Sequence, residues 1–234
     1  MKKLLFAAAV AAALAVPSNA FAGTFTGIVV GKSAGHVAVA TKSGAVFTVG
    51  TRAHPRVGAR VRVAGASLRV LGLARGARIH AIVVKRVGGR TFVAAGRSLL
   101  SIRSQRTFAS FAGSGPSSGA IVNTTVGIAN GQLTQQTMQV VGQTTSVTVQ
   151  AQVSAVGPGT LTVLVNGVPL QISLPAGIQL PASLVGQFVT LNLRLAENQA
   201  VAEDENEDEN EQEDQDDDHG QHDGGDDHGS HGDG

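Results

Sequence analysis

The chain has 234 residues and a formal net charge of +1, and it contains no Cys, Trp or Tyr. The charges are separated along the chain: all 17 acidic residues lie from Glu197 to Asp233, whereas 15 of the 18 basic residues lie between Gly23 and Arg106. Because the region 23–196 has no carboxylate side chain, it excludes paired-carboxylate catalysis and a Ser-His-Asp triad. We expect no enzymatic activity, and without disulfides the fold must depend on its apolar core.

The first 22 residues have the form of a secretory signal peptide. Lys2 and Lys3 precede an apolar run over residues 4–16, and small residues stand at Ala20 and Ala22. This run of 13 residues is too short for a membrane-spanning helix, which needs about 20. We therefore expect cleavage after Ala22, export to the secreted, periplasmic or cell-envelope space, and no transmembrane segment.

Short apolar runs separated by glycine turns follow the signal peptide, and this pattern is typical of an all-β protein. Val61 and Val63 alternate with Arg60 and Arg62, so one side of that strand is apolar and the other is basic. We assign the segment 23–86 to a basic β-barrel module. Its predicted strands are TFTGIVVGK, GHVAVAT, AVFTVG and ARVRVAG.

The same order of strands recurs twice, which indicates an internal repeat. The middle copy, 87–141, carries a Ser/Gly-rich insertion and an Asn130-Gly131 hairpin signal; the C-terminal copy, 142–196, carries Asn166-Gly167. Units of this size and plan are typical of small Greek-key or OB-like barrels. The predicted fold is all-β, with two or three tandem small Greek-key/OB-like β-barrel modules followed by a disordered acidic tail over 197–234.

A V-G-x-x-V strand recurs in the two outer copies, as VGARV at residues 57–61 and VGQFV at residues 185–189. In this feature the chain resembles the repeats of an exported bacterial domain family of unknown function, and the stretch ARIHAIVV, residues 77–84, fits the last strand of that repeat. The resemblance covers residues 24–195 and implies tandem small β-barrels. It transfers no activity and no site residues. Ala59 and Gln187 stand where an acid is common in that family.

The basic residues of the first half have no neighbouring acids to neutralise them. We predict that they form a surface for a polyanion, namely an anionic envelope polymer, an anionic lipid or a nucleic acid outside the cell. The alternative is that they keep a β-surface hydrated, with the protein's own tail as an intramolecular counterion. A third hypothesis is a purely structural surface protein, which would bind neither polyanions nor metal ions. The candidate polyanion-binding residues are Arg52, Arg56, Arg60, Arg62, Arg69, Arg75, Arg78, Arg86 and Arg90.

The tail has an acidic first half that has little apolar surface to bury, and a second half rich in Gly, Asp and His. Pairs of histidines three residues apart on a glycine-rich backbone predict weak, adaptable binding of Zn²⁺, Ni²⁺ or Cu²⁺, and the Asp-rich portion would also attract Ca²⁺. The alternative is a low-complexity segment that only aids solubility. No other cofactor is expected. The candidate metal ligands are His219, His222, Asp223, Asp227, His228 and His231.

A peptide of residues 203–234 tests the metal prediction. Because imidazole nitrogens would be the principal ligands, replacing His219, His222, His228 and His231 by alanine should abolish Zn²⁺ or Cu²⁺ binding in a calorimetric titration. A dissociation constant no better than millimolar, or indifference to the four substitutions, would contradict it.

Overall fold

The computed structural model describes residues 8–9, 23–33, 35–104 and 115–195. In this part of the chain the regular elements are strands and one short 3₁₀ turn, Ala182–Leu184. No helix among these residues is long and apolar enough to cross a membrane. The strands belong to a single compact unit and, by their pairing, to three consecutive groups.

The first group is an antiparallel sheet of five strands in the order β4-β3-β2-β5-β6. The two ends of this order are unpaired with each other, so the sheet is curled but open among the described residues. Its inner side buries a valine-rich cluster, to which Phe25 and Leu68 add. The strands are β2 (Thr24–Ser33), β3 (His36–Ala40), β4 (Val46–Gly50), β5 (Ala59–Ala64) and β6 (Ser67–Leu73).

The second group closes into a barrel. Its first three strands form a meander, the fourth pairs back onto the first, and the fifth pairs with the fourth and, in parallel, with the third. The closing contact places Leu133 opposite Ile102. This strand order is that of an OB barrel. The strands are β7 (Gly76–Val87), β8 (Arg90–Ala95), β9 (Ser98–Arg103), β10 (Ala120–Ala129) and β11 (Gln132–Gln143).

The third group repeats the meander and the fourth strand, and the described residues contain no fifth strand after it. The outer edge of that fourth strand pairs instead with β1 (Ala8–Ala9), two residues of the predicted signal peptide, Ala8 lying opposite Leu193. A parallel contact between Gln150 and Ser98 joins the group to β9. The strands are β12 (Ser146–Gly157), β13 (Thr160–Val165), β14 (Val168–Ser173) and β15 (Phe188–Arg194).

One hydrogen bond recurs at the same place in all three groups. The first strand of each group has a register shift directly after a buried valine, and the carbonyl of that valine accepts the N–H of a glycine just before the fourth strand, at 2.7–2.8 Å. Each glycine has a φ between +85° and +92°, which favours a residue without a side chain. The donor–acceptor pairs are Gly58–Val29, Gly119–Val83 and Gly186–Val153.

The predicted all-β fold with tandem OB-like modules is therefore confirmed, and the middle copy is the one that closes fully. Both predicted hairpins are present: Asn130-Gly131 joins β10 to β11 and Asn166-Gly167 joins β13 to β14, with positive φ at all four residues. The acidic tail and the Ser/Gly-rich insertion's first half lie outside the described residues.

Two strand assignments differ from the sequence prediction. The stretch 77–84 lies in β7, which opens the second group, and the last strand of the first group is β6, which the sequence did not identify. The strand β6 was missed because most of it is exposed on both faces, so its residues do not alternate. The predicted module boundaries after Arg86 and after Val141 accordingly fall inside β7 and β11.

Gly119 and Gly186 provide a matched test of why glycine is needed at this recurring position. Both have a positive φ, so alanine should introduce strain of about 1–2 kcal/mol at either position. A Cβ at Gly119 would also meet the carbonyl oxygen of Thr144, whereas a Cβ at Gly186 would meet no atom within 4 Å. Urea denaturation should therefore show a larger loss of unfolding free energy for Gly119→Ala than for Gly186→Ala. Equal losses would contradict this account.

Candidate anion-binding surface

The nine arginines predicted to bind polyanions lie at the surface. Eight of them are exposed, and the ninth, Arg90, is half-buried with its Nη1 donating to the Ser101 hydroxyl at 3.4 Å. Because the sequence has no Asp or Glu between Gly23 and Ala196, no ion pair within the described residues can neutralise them. Their positive charge is therefore directed to solvent or to a ligand.

Strand register brings three of these arginines together on the outer side of β5 and β6. Arg62 lies directly opposite Arg69, and Arg60 lies on the same side of β5, two residues along. The intervening Val61 and Val63 point inward and are fully buried. Directly opposed residues in antiparallel strands have Cβ atoms about 4.5–5.5 Å apart, so the two guanidinium groups share one small area. We call Arg60, Arg62 and Arg69 the arginine face.

One threonine and an open strand edge border the arginine face. Thr26 of β2 lies opposite Arg62 and is exposed. On the other side, β6 ends the sheet, and no described strand pairs with its outer edge. An anion here would meet guanidinium groups, a hydroxyl and the unpaired backbone N–H groups that an edge strand presents. The sequence could have revealed β6 through Gly65-Ala66, a two-residue turn with Gly first, directly after the alternating strand.

The other six arginines are positioned by other segments. Arg52 and Arg56 lie in the connection between β4 and β5, and Arg75 lies between β6 and β7. Arg78 is on the outer side of β7, where it lines a cavity. Arg86 and Arg90 lie near the turn between β7 and β8. Register places Arg90 opposite Arg103 of β9, but the pair on β5 and β6 is the one in which both opposed arginines are exposed and belong to the predicted set.

The aromatic side chains serve packing rather than the arginine face. Phe92 is buried, and the rings of Phe25 and Phe47 contact each other with their centroids 5.2 Å apart. Neither β5 nor β6 contains an aromatic residue. Phe25 and Phe47 are half-buried.

The three histidines of the β-modules lie in different settings. His36 is the first residue of β3, and its ring stacks on Phe188 with centroids 4.4 Å apart. His54 is exposed in a loop. His80 shares the outward side of β7 with Arg78, and its Nδ1 lies 2.7 Å from the Asn123 Oδ1. The histidines thus contribute to module packing and to one polar surface.

The six candidate metal ligands between His219 and His231 lie outside the described residues. Within the residues that the structure does describe, no group of three or more His, Asp or Glu side chains converges as a metal site would require. The metal hypothesis therefore stays a prediction about the tail.

Comparison with known proteins adds little to this picture. No protein-family model matches the chain, and a search of curated proteins found no similar sequence. One solved structure, drosophila Unr CSD456, aligns with 75% of this chain and 98% of its own length, at 10% identity and a TM-score of 0.22. A TM-score this low supports no argument about fold or function. The OB-like assignment depends on the strand order of the second group.

The opposed arginines predict a gain in stability from charge reversal. Replacing Arg69 by glutamate places opposite charges across the strands, which should raise the unfolding free energy by about 0.2–1 kcal/mol. Arg69→Gln, which only removes the repulsion, is the control and should gain less. Thermal denaturation at low salt and in about 1 M salt checks the cause, because screening at the higher concentration should remove the difference. A gain that persists in high salt would contradict it.

Proposed function

We propose that the protein is a non-enzymatic binding protein of the cell exterior and that it holds anionic polymers on the arginine face. The observation that supports this proposal is the opposition of Arg62 and Arg69 on a body without acids. Like charges directly opposite each other destabilise a sheet. An anion between the two side chains would convert this repulsion into two charge-assisted hydrogen-bonding interactions.

An anionic polysaccharide fits the arginine face better than a nucleic acid does. Proteins that bind single-stranded nucleic acids combine a basic groove with aromatic side chains on which bases stack. The strands of the arginine face have no aromatic residue. Polysaccharide carboxylates and sulfates need only guanidinium groups, hydroxyls and backbone N–H groups. The expected export of the chain, and its resemblance to an exported bacterial domain family, agree with a polymer found outside the cell.

The tail is proposed to compete with this polymer. It holds all 17 acidic residues of the chain, which is close to the number of basic residues in the body. A flexible tether gives a tail an effective concentration on the order of millimolar at its own body. At physiological ionic strength, charges interact over about 8 Å, so tail carboxylates that reach an arginine would occupy it. A stronger polyanion or high salt would release them.

Retention on immobilised heparin tests the arginine face. The double variant Arg62→Gln, Arg69→Gln should elute at lower salt than the unaltered chain, because it loses two charged contacts. The slope of log affinity against log salt should fall in magnitude by about one to two. Deleting residues 197–234 should raise the elution salt by removing the competing carboxylates.

The matched control is Arg97→Gln, Arg194→Gln, which removes the same charge from two exposed residues that lie off the arginine face and opposite no other arginine. It should elute close to the unaltered chain. If the two double variants elute together, retention reflects net charge alone and the proposed face is wrong. If tail deletion leaves retention unchanged, the proposed competition by the tail is wrong, but this result does not contradict binding at the arginine face.

A further inference from the structure

A second polar site lies on the outer side of the second strand group, away from the residues of the arginine face. It is a cavity of about 400 Å³ between β7, β10, β11 and the turn that joins β3 to β4. This volume is within the range of about 300–1,000 Å³ that is usual for small-molecule sites. Most of its lining residues are polar, Ile79 and Met138 being the large apolar ones, and the lining contains no acidic side chain and no Phe.

Two rows of side chains, aligned by the strand register, form the floor of the cavity. In one row, Asn123 of β10 lies opposite His80 of β7 and opposite Gln139 of β11. In the next row, Thr125 lies opposite Arg78 and Thr137. Neighbouring positions on the same strands, such as Ile79 and Val122, are buried in the core, so the alternation of each strand directs the polar set outward.

The first strand group supplies one wall of this cavity. The carbonyl of Gly44, in the turn between β3 and β4, accepts the backbone N–H of His80 at 2.8 Å. The turn is held in shape by the Gly44 N–H, which donates to the carbonyl of Thr41 at 3.1 Å, and by a 2.9 Å contact between the Thr41 and Ser43 hydroxyls. Ser43 thereby lines the cavity opposite the sheet.

The imidazole of His80 is oriented by its neighbour. Its Nδ1 lies 2.7 Å from the Asn123 Oδ1, and since an amide oxygen only accepts, the Nδ1–H is the donor. The Nε2 is then left to interact with a ligand hydroxyl. Thr124, whose hydroxyl donates to the Thr137 carbonyl at 2.7 Å, ties β10 to β11 directly beneath the floor.

From this geometry we propose that the cavity binds a sugar acid, with its carboxylate on Arg78 and its hydroxyls on the surrounding side chains. One guanidinium and no acid suit a ligand with a single negative charge, and a guanidinium pairs well with a carboxylate. The hydroxyls of Ser43, Thr125 and Thr137 and the amides of Asn123 and Gln139 can each donate or accept.

This inference deepens the proposed function, because it names a sugar-acid unit as the ligand, but it uses different residues. Isothermal titration of the full chain with glucuronate, glucose, acetate and glucose 6-phosphate tests it. Glucuronate should bind more tightly than the other three, because only it combines the hydroxyls with a carboxylate. Arg78→Gln should weaken glucuronate binding by about tenfold or more, and Thr137→Val by about two- to tenfold.

The control here is Arg62→Gln, Arg69→Gln, which should elute from heparin at lower salt yet bind glucuronate as the unaltered chain does. Thermal denaturation of each variant establishes that it is folded, and Arg78 and Thr137 are both exposed, so their replacement should leave the core intact. Glucuronate binding no tighter than acetate, tighter binding of glucose 6-phosphate, or full binding by Arg78→Gln would overturn the sugar-acid site. None of these results would affect the arginine face.

Discussion

The fold depends on a bend in the first strand of each group. In β2 the residues before Val29 pair with β5 and those after it with β3; β7 and β12 change partners in the same way at Val83 and Val153. The bulge at that point lets one strand serve two sides of a curved sheet. The carbonyl of the buried valine at this bulge accepts the N–H of the glycine just before the fourth strand, so it is not left without a hydrogen-bond partner. In the first and third groups, the glycine of the V-G-x-x-V pattern is the residue that donates this hydrogen bond.

Local features of the fold could be read from the sequence, whereas long-range pairing could not. Asn-Gly turns determine their own conformation, so both hairpins were predictable. The parallel pairing of β9 with β11 joins residues about thirty positions apart and leaves no local signal. The sequence likewise showed a basic side for β5, with Arg60 and Arg62, but Arg69 joins it only through β6, an exposed strand without alternation. The cavity beside Arg78 could not be predicted from the sequence, because its position depends on the register of three strands.

Packing between the groups bears on the proposed sugar-acid site but not on the arginine face. A shared core joins Val30, Ala38 and Val46 of the first group to residues of the second, such as Ile79 and Leu100. This core holds the turn between β3 and β4 against β7, so the wall of the cavity belongs to a different group from its floor. The tandem arrangement therefore creates a site that a single OB-like barrel would lack, while the arginine face needs only the first group.

The absence of acids from the body also changes how the protein should respond to pH. Acid denatures most proteins largely by protonating carboxylates that the native state holds charged. The region 23–196 has no such side chain, and His36, His54 and His80 are its only histidines. Acidification below about pH 5 therefore removes no carboxylate interaction from the barrels. It does neutralise the Asp and Glu of the tail, so that a nearly neutral protein becomes a strongly cationic one.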